Sequence, residues 1–246
     1  MRADGGVTVT TAVPADDSAP AQWIAAAVRE FRYDVGSLVT YDFPAYARVF
    51  HPAIRMVKVD GEEAKEEELS WSYVCTVTGR TPHAAMQWES IAGSLAGGNS
   101  PLWSTDPWPG SLTRNQVTRL VAILGAHTVT PQRCYFAMWT GADLRSSDRA
   151  APTVQLGIRE MVLLSGPIEA STASSDPDHF QSPSLWWPED HAWCVATDVD
   201  LDSTYVGGSR ECVEALTTDD HIEAMPISAG DSVTRDSDRL NAAEGP

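Results

Sequence analysis

The sequence predicts an α+β fold: a single domain with a mixed or antiparallel sheet, helices packed on one side of it, and long loops. Helical and strand patterns alternate irregularly along the 246 residues, unlike the regular strand–helix alternation of a parallel α/β protein. No internal repeat of fixed period interrupts this order. A chain of this length buries roughly 70–75% of its unfolded surface, so its core needs no disulfide or metal.

The two ends of the chain lack a periodic apolar pattern. We therefore expect a flexible N-terminal tail over residues 1–17 and a flexible acidic C-terminal tail over residues 229–246, because unpatterned termini have nothing to bury. The globular domain is expected over residues 18–228.

Four segments combine helical spacing of apolar residues with a capping residue in front of them. The clearest helix runs from Thr113 to Leu124, where apolar residues fall at i, i+3, i+4 and i+7 and Gly125 follows. The other three begin near Pro20, Ser70 and Ser209, and a shorter helix is expected over 83–91.

Short apolar runs bounded by turn residues predict the strands. They cover 35–39, 46–50, 56–59, 134–139, 159–165, 193–198 and 222–227. The charge run over 62–68 predicts an exposed turn leading into a solvated helix. Loops are expected over 93–110, 143–152 and 171–184.

The chain is strongly acidic. Seventeen Lys and Arg residues oppose thirty-four Asp and Glu residues, for a net charge of −17. A nucleic-acid backbone would be repelled by this field, so we expect no nucleic-acid partner. An acidic surface suits a basic protein or a cation, and it also keeps a protein in solution.

Three further features indicate a cytoplasmic protein without a membrane span. No apolar run approaches the roughly 20 residues that a spanning helix needs. The first residues lack the charged-then-apolar order of a signal peptide. None of the four cysteines lies in a C-x-x-C pair, and most occupy apolar contexts typical of reduced, buried thiols.

Asp198, Asp200 and Asp202 alternate with apolar residues. On a strand this spacing puts three carboxylates on one face, where they could share a divalent cation such as calcium or magnesium. A half-buried strand with an acidic wet face produces the same pattern. The residues do not fit an EF-hand loop, because Ser203 and Ser209 stand where that loop needs Gly and Glu.

Acidic and histidine residues also flank the tryptophan pair at 186–187. A loop that folded back could gather them for metal binding or acid–base work, although their spacing matches no known motif and exposed loop residues give the same pattern. The group consists of Asp176, Asp178, His179, Glu189, Asp190 and His191.

Four tryptophans are expected in proline-bearing loops: Trp103, Trp108, Trp186 and Trp187. Loop aromatics anchor protein interfaces when they are exposed, and they cover the open edge of a core when they are buried. We treat all four as candidate partner-binding residues.

Three segments, 46–53, 127–141 and 183–198, resemble a family of uncharacterised bacterial proteins from GC-rich genomes. That resemblance spans most of residues 20–228 and implies no activity. The segment Tyr135–Gly141, with the strand–helix–strand order near the end of the chain, is also similar to the SUKH immunity superfamily of acidic α+β proteins that bind toxins. The Trp-Trp-Pro segment departs from that superfamily.

Neither a nucleophile elbow nor a protease or redox cysteine motif occurs in the sequence. The leading hypothesis is therefore a non-enzymatic protein-binding module, immunity-like and directed at a basic partner. The alternative is a metal-dependent enzyme or metal-binding protein that uses Asp198, Asp200 and Asp202.

Overall fold

The computed structural model describes residues 10–58, 64–98, 100–142, 144–173 and 180–242. Within these ranges the α+β class is confirmed, with eleven strands and six α-helices. The strands are β1 Val13–Pro14, β2 Ala45–Phe50, β3 Ala53–Val57, β4 Lys65–Leu69, β5 Cys134–Trp139, β6 Thr153–Leu156, β7 Arg159–Gly166, β8 Leu185–Pro188, β9 Cys194–Ala196, β10 Ser203–Gly208 and β11 Ala224–Ile227. The helices are α1 Gln22–Ala27, α2 Gly36–Val39, α3 Trp71–Thr78, α4 Trp88–Ala92, α5 Arg114–Gly125 and α6 Arg210–Thr217.

One large antiparallel sheet organises the described part of the chain. Its order is β1–β7–β5–β8–β9–β10–β2–β11, and β6 pairs with β7 as well. Strands β3 and β4 form a separate two-stranded ribbon with Ile54 opposite Glu68. The long sheet brings the end of β9, the start of β7 and the start of β10 to the same region.

The sheet buries apolar residues on both faces, because successive side chains of a strand point to opposite sides. On β10, Val206 joins the core that α5 and α6 cover. Its neighbour Tyr205 joins a second core, which α1 and α2 cover. The sequence predicted helices on one side only, and the structure differs because the short segments around α1 and α2 also carry apolar faces.

A third core lies beneath α3 and α4 and beside the β3–β4 ribbon. Three tryptophans fill it in a chain of ring contacts, with Trp71 next to Trp88 at 5.6 Å and Trp88 next to Trp103 at 5.2 Å between centroids. This core supports the loop that follows Trp103.

Three of the four predicted helix caps are confirmed. At the fourth, ahead of Pro20, the Ser18 side chain makes no capping hydrogen bond, and a short 3-10 turn precedes α1. Thr113 and Gln116 form a reciprocal capping box at α5, which satisfies backbone N–H groups that have no partner inside the helix. The Ser70 side chain caps α3, which ends at Gly79 in the left-handed conformation. Ser209 caps α6 in the same way.

Two element predictions were wrong. The segment predicted as a strand over 35–39 is helix α2, and its buried apolar residues Val35, Leu38 and Val39 fall at i, i+3 and i+4. The charge run ends in strand β4, because Glu67 pairs across the ribbon with Arg55 at 2.6 Å. Residues 59–63 of that region lie outside the described residues.

The structure also packs parts of both predicted tails. Ala15 is buried, and the strand β1 before it pairs with β7. At the other end, Val233, Asp238 and Asn241 are buried, and the Asp238 carboxylate accepts a hydrogen bond from the Gln87 amide at 3.1 Å. Isolated anchors of this kind leave no periodic sequence pattern. Residues 1–9 and 243–246 lie outside the described residues.

Candidate functional site

The four candidate tryptophans occupy different environments. Trp186 and Trp187 lie side by side in β8, and each is fully buried, one in each of the two sheet cores. Trp103 is 4% exposed, and its Nε1 donates to Asp106 at 2.6 Å. Trp108 is 62% exposed. The interpretation of Trp103, Trp186 and Trp187 as partner anchors was wrong, because a buried ring cannot reach a partner.

The backbone around Trp108 is held by a buried histidine. The Trp108 carbonyl oxygen lies 2.8 Å from His51 Nδ1, and His51 Nε2 lies 2.9 Å from Thr204 Oγ1. A carbonyl oxygen only accepts, so Nδ1 carries the proton and Nε2 accepts from Thr204. Thr204 in turn accepts from Thr197, 2.6 Å away. Trp108 is thereby tied to the central strand β10.

His51 is a neutral ring at pH 7. The pKa of His51 is lowered from 6.5 to about 4, mainly by burial of the ring; the hydrogen bond to the Trp108 carbonyl opposes this lowering, and the nearby Arg48 guanidinium adds to it. Burial disfavours the charged imidazolium. Its role in the described structure is to hold the Trp108 loop.

Both ends of the Trp108 loop are fixed as well. At the start, Thr105 forms an isolated bridge with Ile54, and the Ile54 amide donates to its carbonyl at 2.9 Å. At the end, Gly110 adopts a φ of +78° and its amide donates to the Leu201 carbonyl at 2.9 Å. A Cβ at Gly110 would lie 2.8 Å from Val199 Cα, so only glycine allows this approach.

Exposed polar and apolar groups lie in the Trp108 loop and in the β3–β4 ribbon that contacts the start of the loop. Met56 is 44% exposed, and its amide donates to Ser104 Oγ at 3.1 Å, which places it beside the same loop. Glu66 lies directly opposite Met56 in the ribbon, so the two side chains share a face. We call the exposed set Met56, Glu66, Ser104, Thr105, Trp108 and Pro109 the Trp108 surface.

The predicted acidic row is not a strand face. Asp198, Asp200 and Asp202 lie in the turn between β9 and β10. The Asp200 amide donates to Asp198 Oδ1 at 3.1 Å, and the Leu201 amide donates to the Asp198 carbonyl. The strand interpretation was wrong because these local hydrogen bonds of an Asp residue favour a turn.

Arg159 engages two of the three carboxylates. Its Nε and Nη2 donate to the two oxygens of Asp198 at 2.9 and 2.8 Å, and Nη2 also donates to Asp200 at 2.7 Å. The Asp198 hydrogen bond is the largest cause that raises the pKa of Arg159. The guanidinium also stacks on Trp139, 5.4 Å from the ring centroid. A fork-shaped contact of this kind orients both partners.

Asp202 is not among the hydrogen-bond partners of Arg159. Burial raises the pKa of its carboxyl, and the charges of Arg48 and Arg235 oppose that rise. Within the described ranges, no three or more His, Cys, Asp or Glu side chains come together in a way that could hold a metal ion. The hypothesis of a divalent cation at this row stays a prediction, and Arg159 competes for two of the three ligands.

The second acidic and histidine group is only partly described. Asp176, Asp178 and His179 lie outside the described residues. Asp190 accepts hydrogen bonds from the Val129 amide and from Thr128 Oγ1, each at 2.8 Å. These two contacts fix the 128–130 turn, which gives Asp190 a structural role.

Glu189 and His191 likewise contact their neighbours. Glu189 pairs with Arg133 at 2.5 Å, and the His191 ring stacks on Trp23 at 4.2 Å between centroids. Within the described residues the structure does not gather this group into one acid–base site.

No protein-family model matches the chain, and no curated protein and no solved structure shows significant similarity to it. No helix in the described part of the chain is both long enough and apolar enough to cross a membrane. Two residues of the candidate site were not predicted from the sequence. His51 and Arg159 act through partners 57 and 39 residues away, which no local motif records.

Proposed function

We propose that this protein is a non-enzymatic binding module whose Trp108 surface contacts a basic protein. The observation that carries the proposal is the exposure of Trp108, 62%, on a backbone that His51, Ile54 and Leu201 hold in place. A large apolar ring exposed to water costs free energy, which contact with a partner recovers.

The fixed backbone matters for affinity. Binding requires the ordering of loops and side chains, and a loop that is already ordered loses less entropy in the complex. Tryptophan is enriched among residues whose truncation costs about 2 kcal/mol or more in binding. At about 1.4 kcal/mol per tenfold, removal of the Trp108 ring would weaken the complex by roughly thirtyfold.

The charge around Trp108 indicates the sign of the partner. Glu66 belongs to the surface itself, on a ribbon that also carries the exposed cations Lys58 and Lys65. Asp200 lies on the neighbouring 198–202 turn with its side chain 79% exposed. The whole chain carries −17. Such a field steers a basic partner toward the surface and repels acidic ones, with an effect that falls as salt rises.

The SUKH resemblance suggests a particular form of this function, which is the neutralisation of a basic toxin in the bacterial cytoplasm. An immunity protein needs a preformed contact surface and no catalytic group. The Trp108 surface and the charge support this form of the proposal.

Affinity capture from native cells at low salt tests the proposal. Three baits are compared: the wild type, Trp108→Ala, and Val129→Ala, whose side chain is 88% exposed on another loop. We expect the wild type and Val129→Ala to retain the same basic protein and Trp108→Ala to lose it. Equal recovery with Trp108→Ala, or recovery of an acidic protein only, would contradict the proposal.

A further inference from the structure

A cleft opens on the α1–α2 face of the sheet, beside Arg159 and Asp198. Residues from the segment over 28–38, from the turn between β6 and β7, and from β8 and β9 line it. Its walls are mostly apolar, from Val28, Phe31, Leu156, Met161, Leu185 and Ala196.

The size of the cleft limits what it can hold. Its cavity volume is about 60 Å³, within about 490 Å³ of empty space that includes the mouth open to solvent. For comparison, an apolar cavity of about 150 Å³ binds benzene. The cleft therefore suits one branched aliphatic group rather than an aromatic ring.

Two polar groups at the cleft have the chemistry to bind a peptide: Arg159, which lines the cleft, and Asp200, which contacts Arg159. Arg159 Nη1 makes no hydrogen bond within the described part of the chain, so its two N–H groups can donate to a backbone carbonyl. Asp200 shares only Oδ2 with Arg159 and is 79% exposed. One guanidinium and two carboxylates sum to −1, which favours a cation at the free oxygen of Asp200.

The cleft is continuous with the Trp108 loop through one turn. Asp198, at the start of the 198–202 turn, lines the cleft. On its other side the same turn accepts the Gly110 amide at Leu201 and contacts Gly110 at Val199. A single partner could therefore contact both the cleft and the Trp108 surface.

We propose that the cleft receives an aliphatic side chain of the protein partner, next to an Arg or Lys that pairs with Asp200. This inference rests on the proposed function, because it takes the occupant to be a segment of that basic partner. The motif expected in the partner is short: one branched aliphatic residue beside one basic residue.

Methyl NMR of the full chain with three capped dipeptide amides tests the inference. The probes are acetyl-Leu-Arg-amide, acetyl-Ala-Arg-amide and acetyl-Leu-Glu-amide. We expect the first to bind in the millimolar range and to shift the methyl signals of Leu156, Met161 and Leu185. The alanine probe should bind at least about tenfold more weakly, because it loses three buried carbon groups. The glutamate probe should bind up to about fivefold more weakly, which is typical of an exposed ion pair.

Three variants separate the parts of the inference. Asp200→Asn should remove the difference between the Arg and Glu probes. Ala196→Val should fill the cleft and abolish the methyl shifts. If this variant fails to fold, the comparison of the three probes on the wild type still tests whether the cleft binds them. Equal binding of all three probes, or shifts spread outside the cleft, would overturn the inference.

Val129→Ala, on another loop, should leave dipeptide binding unchanged. A protein that binds the Leu-Arg probe in the cleft but captures no partner through Trp108 would refute the proposed function alone. A protein that captures a Trp108-dependent partner but ignores the probe would refute only the inference about the cleft.

Discussion

Replacement of His51 by Leu tests how the Trp108 loop is held. The substitution keeps a side chain of similar volume, but it removes the donor to the Trp108 carbonyl and the acceptor for Thr204. A buried polar group that loses its partner costs about 1–3 kcal/mol. We therefore expect His51→Leu to lower the free energy of unfolding at pH 7 by about 2–4 kcal/mol.

The cost of His51→Leu should depend on pH with a definite sign. The pKa of His51 in the folded state, about 4, is below its ordinary value of 6.5. The unfolded chain therefore binds the proton first, and the wild type loses stability as pH falls from 6.5 to about 4. A difference of 2.5 pKa units corresponds to about 3 kcal/mol at the acid limit. The variant has no His51 to protonate, so most of its disadvantage should disappear by pH 4.5.

Urea unfolding at pH 7, 6, 5 and 4.5, followed by tryptophan fluorescence, measures the difference between the two proteins. Carboxylates titrate in both proteins, so their contribution cancels in the comparison. His221→Leu, which removes an exposed histidine, serves as control and should change stability by less than about 0.5 kcal/mol. A stability difference between wild type and His51→Leu that stays constant over this pH range would refute the buried, neutral ring.

Three other predictions concern the core, a helix end and the acidic turn. Trp186→Ala should lower the free energy of unfolding, measured in urea, by about 3–5 kcal/mol. Trp108→Ala should change it by about 0.5 kcal/mol or less. Equal losses of stability would contradict the burial of Trp186 and the exposure of Trp108. Glu223→Gln should lower the free energy of unfolding by about 1–2 kcal/mol. The Glu223 carboxylate accepts hydrogen bonds from the first two backbone amides of α3 at 2.5 and 2.8 Å, where the helix dipole favours an anion. An unchanged urea midpoint would argue against that contact. Millimolar Ca²⁺, Mg²⁺, Mn²⁺ or Zn²⁺ should leave Tm unchanged, because Arg159 occupies the carboxylates of Asp198 and Asp200. A metal-dependent rise in Tm that Asp198→Asn abolishes would instead support the metal hypothesis.

Local signals explain which elements were predictable. Ser70 caps α3 and Thr113 caps α5. Each side chain accepts a hydrogen bond from the backbone amide three residues further along the chain. Strand β5 is a continuous apolar run over 134–139, with a turn after it. Where capping or apolar periodicity is strong, local sequence and fold agree.

The elements that were missed depend on distant partners. Strand β4 carries three consecutive Glu residues and forms because β3, with Arg55, lies beside it. Trp186 and Trp187 resemble loop aromatics in a Pro-flanked segment, yet β5 and β9 pair on both sides of their strand. Tertiary context overrides local preference in both segments.

The candidate site was predicted in part. Trp108 was one of four candidate tryptophans, and composition could not separate it from the three buried rings. Asp198 and Asp200 were identified as unusual, but their partner Arg159 comes from a strand 39 residues away. The exposure of Trp108 and the pairing of Arg159 with Asp198 both depend on how distant parts of the chain pack together. A short segment of sequence does not determine either of them.

The measurement that tests the central claim most directly is site-specific photo-cross-linking in native cells. A benzophenone amino acid is placed at the exposed position 105 in one strain, which keeps the Trp108 ring in place, and at the exposed position 129 in another. We predict one dominant adduct with a basic protein from position 105, and no such adduct from position 129. The absence of an adduct at 105, or the same adducts from both positions, would contradict the claim that the Trp108 surface is the binding site.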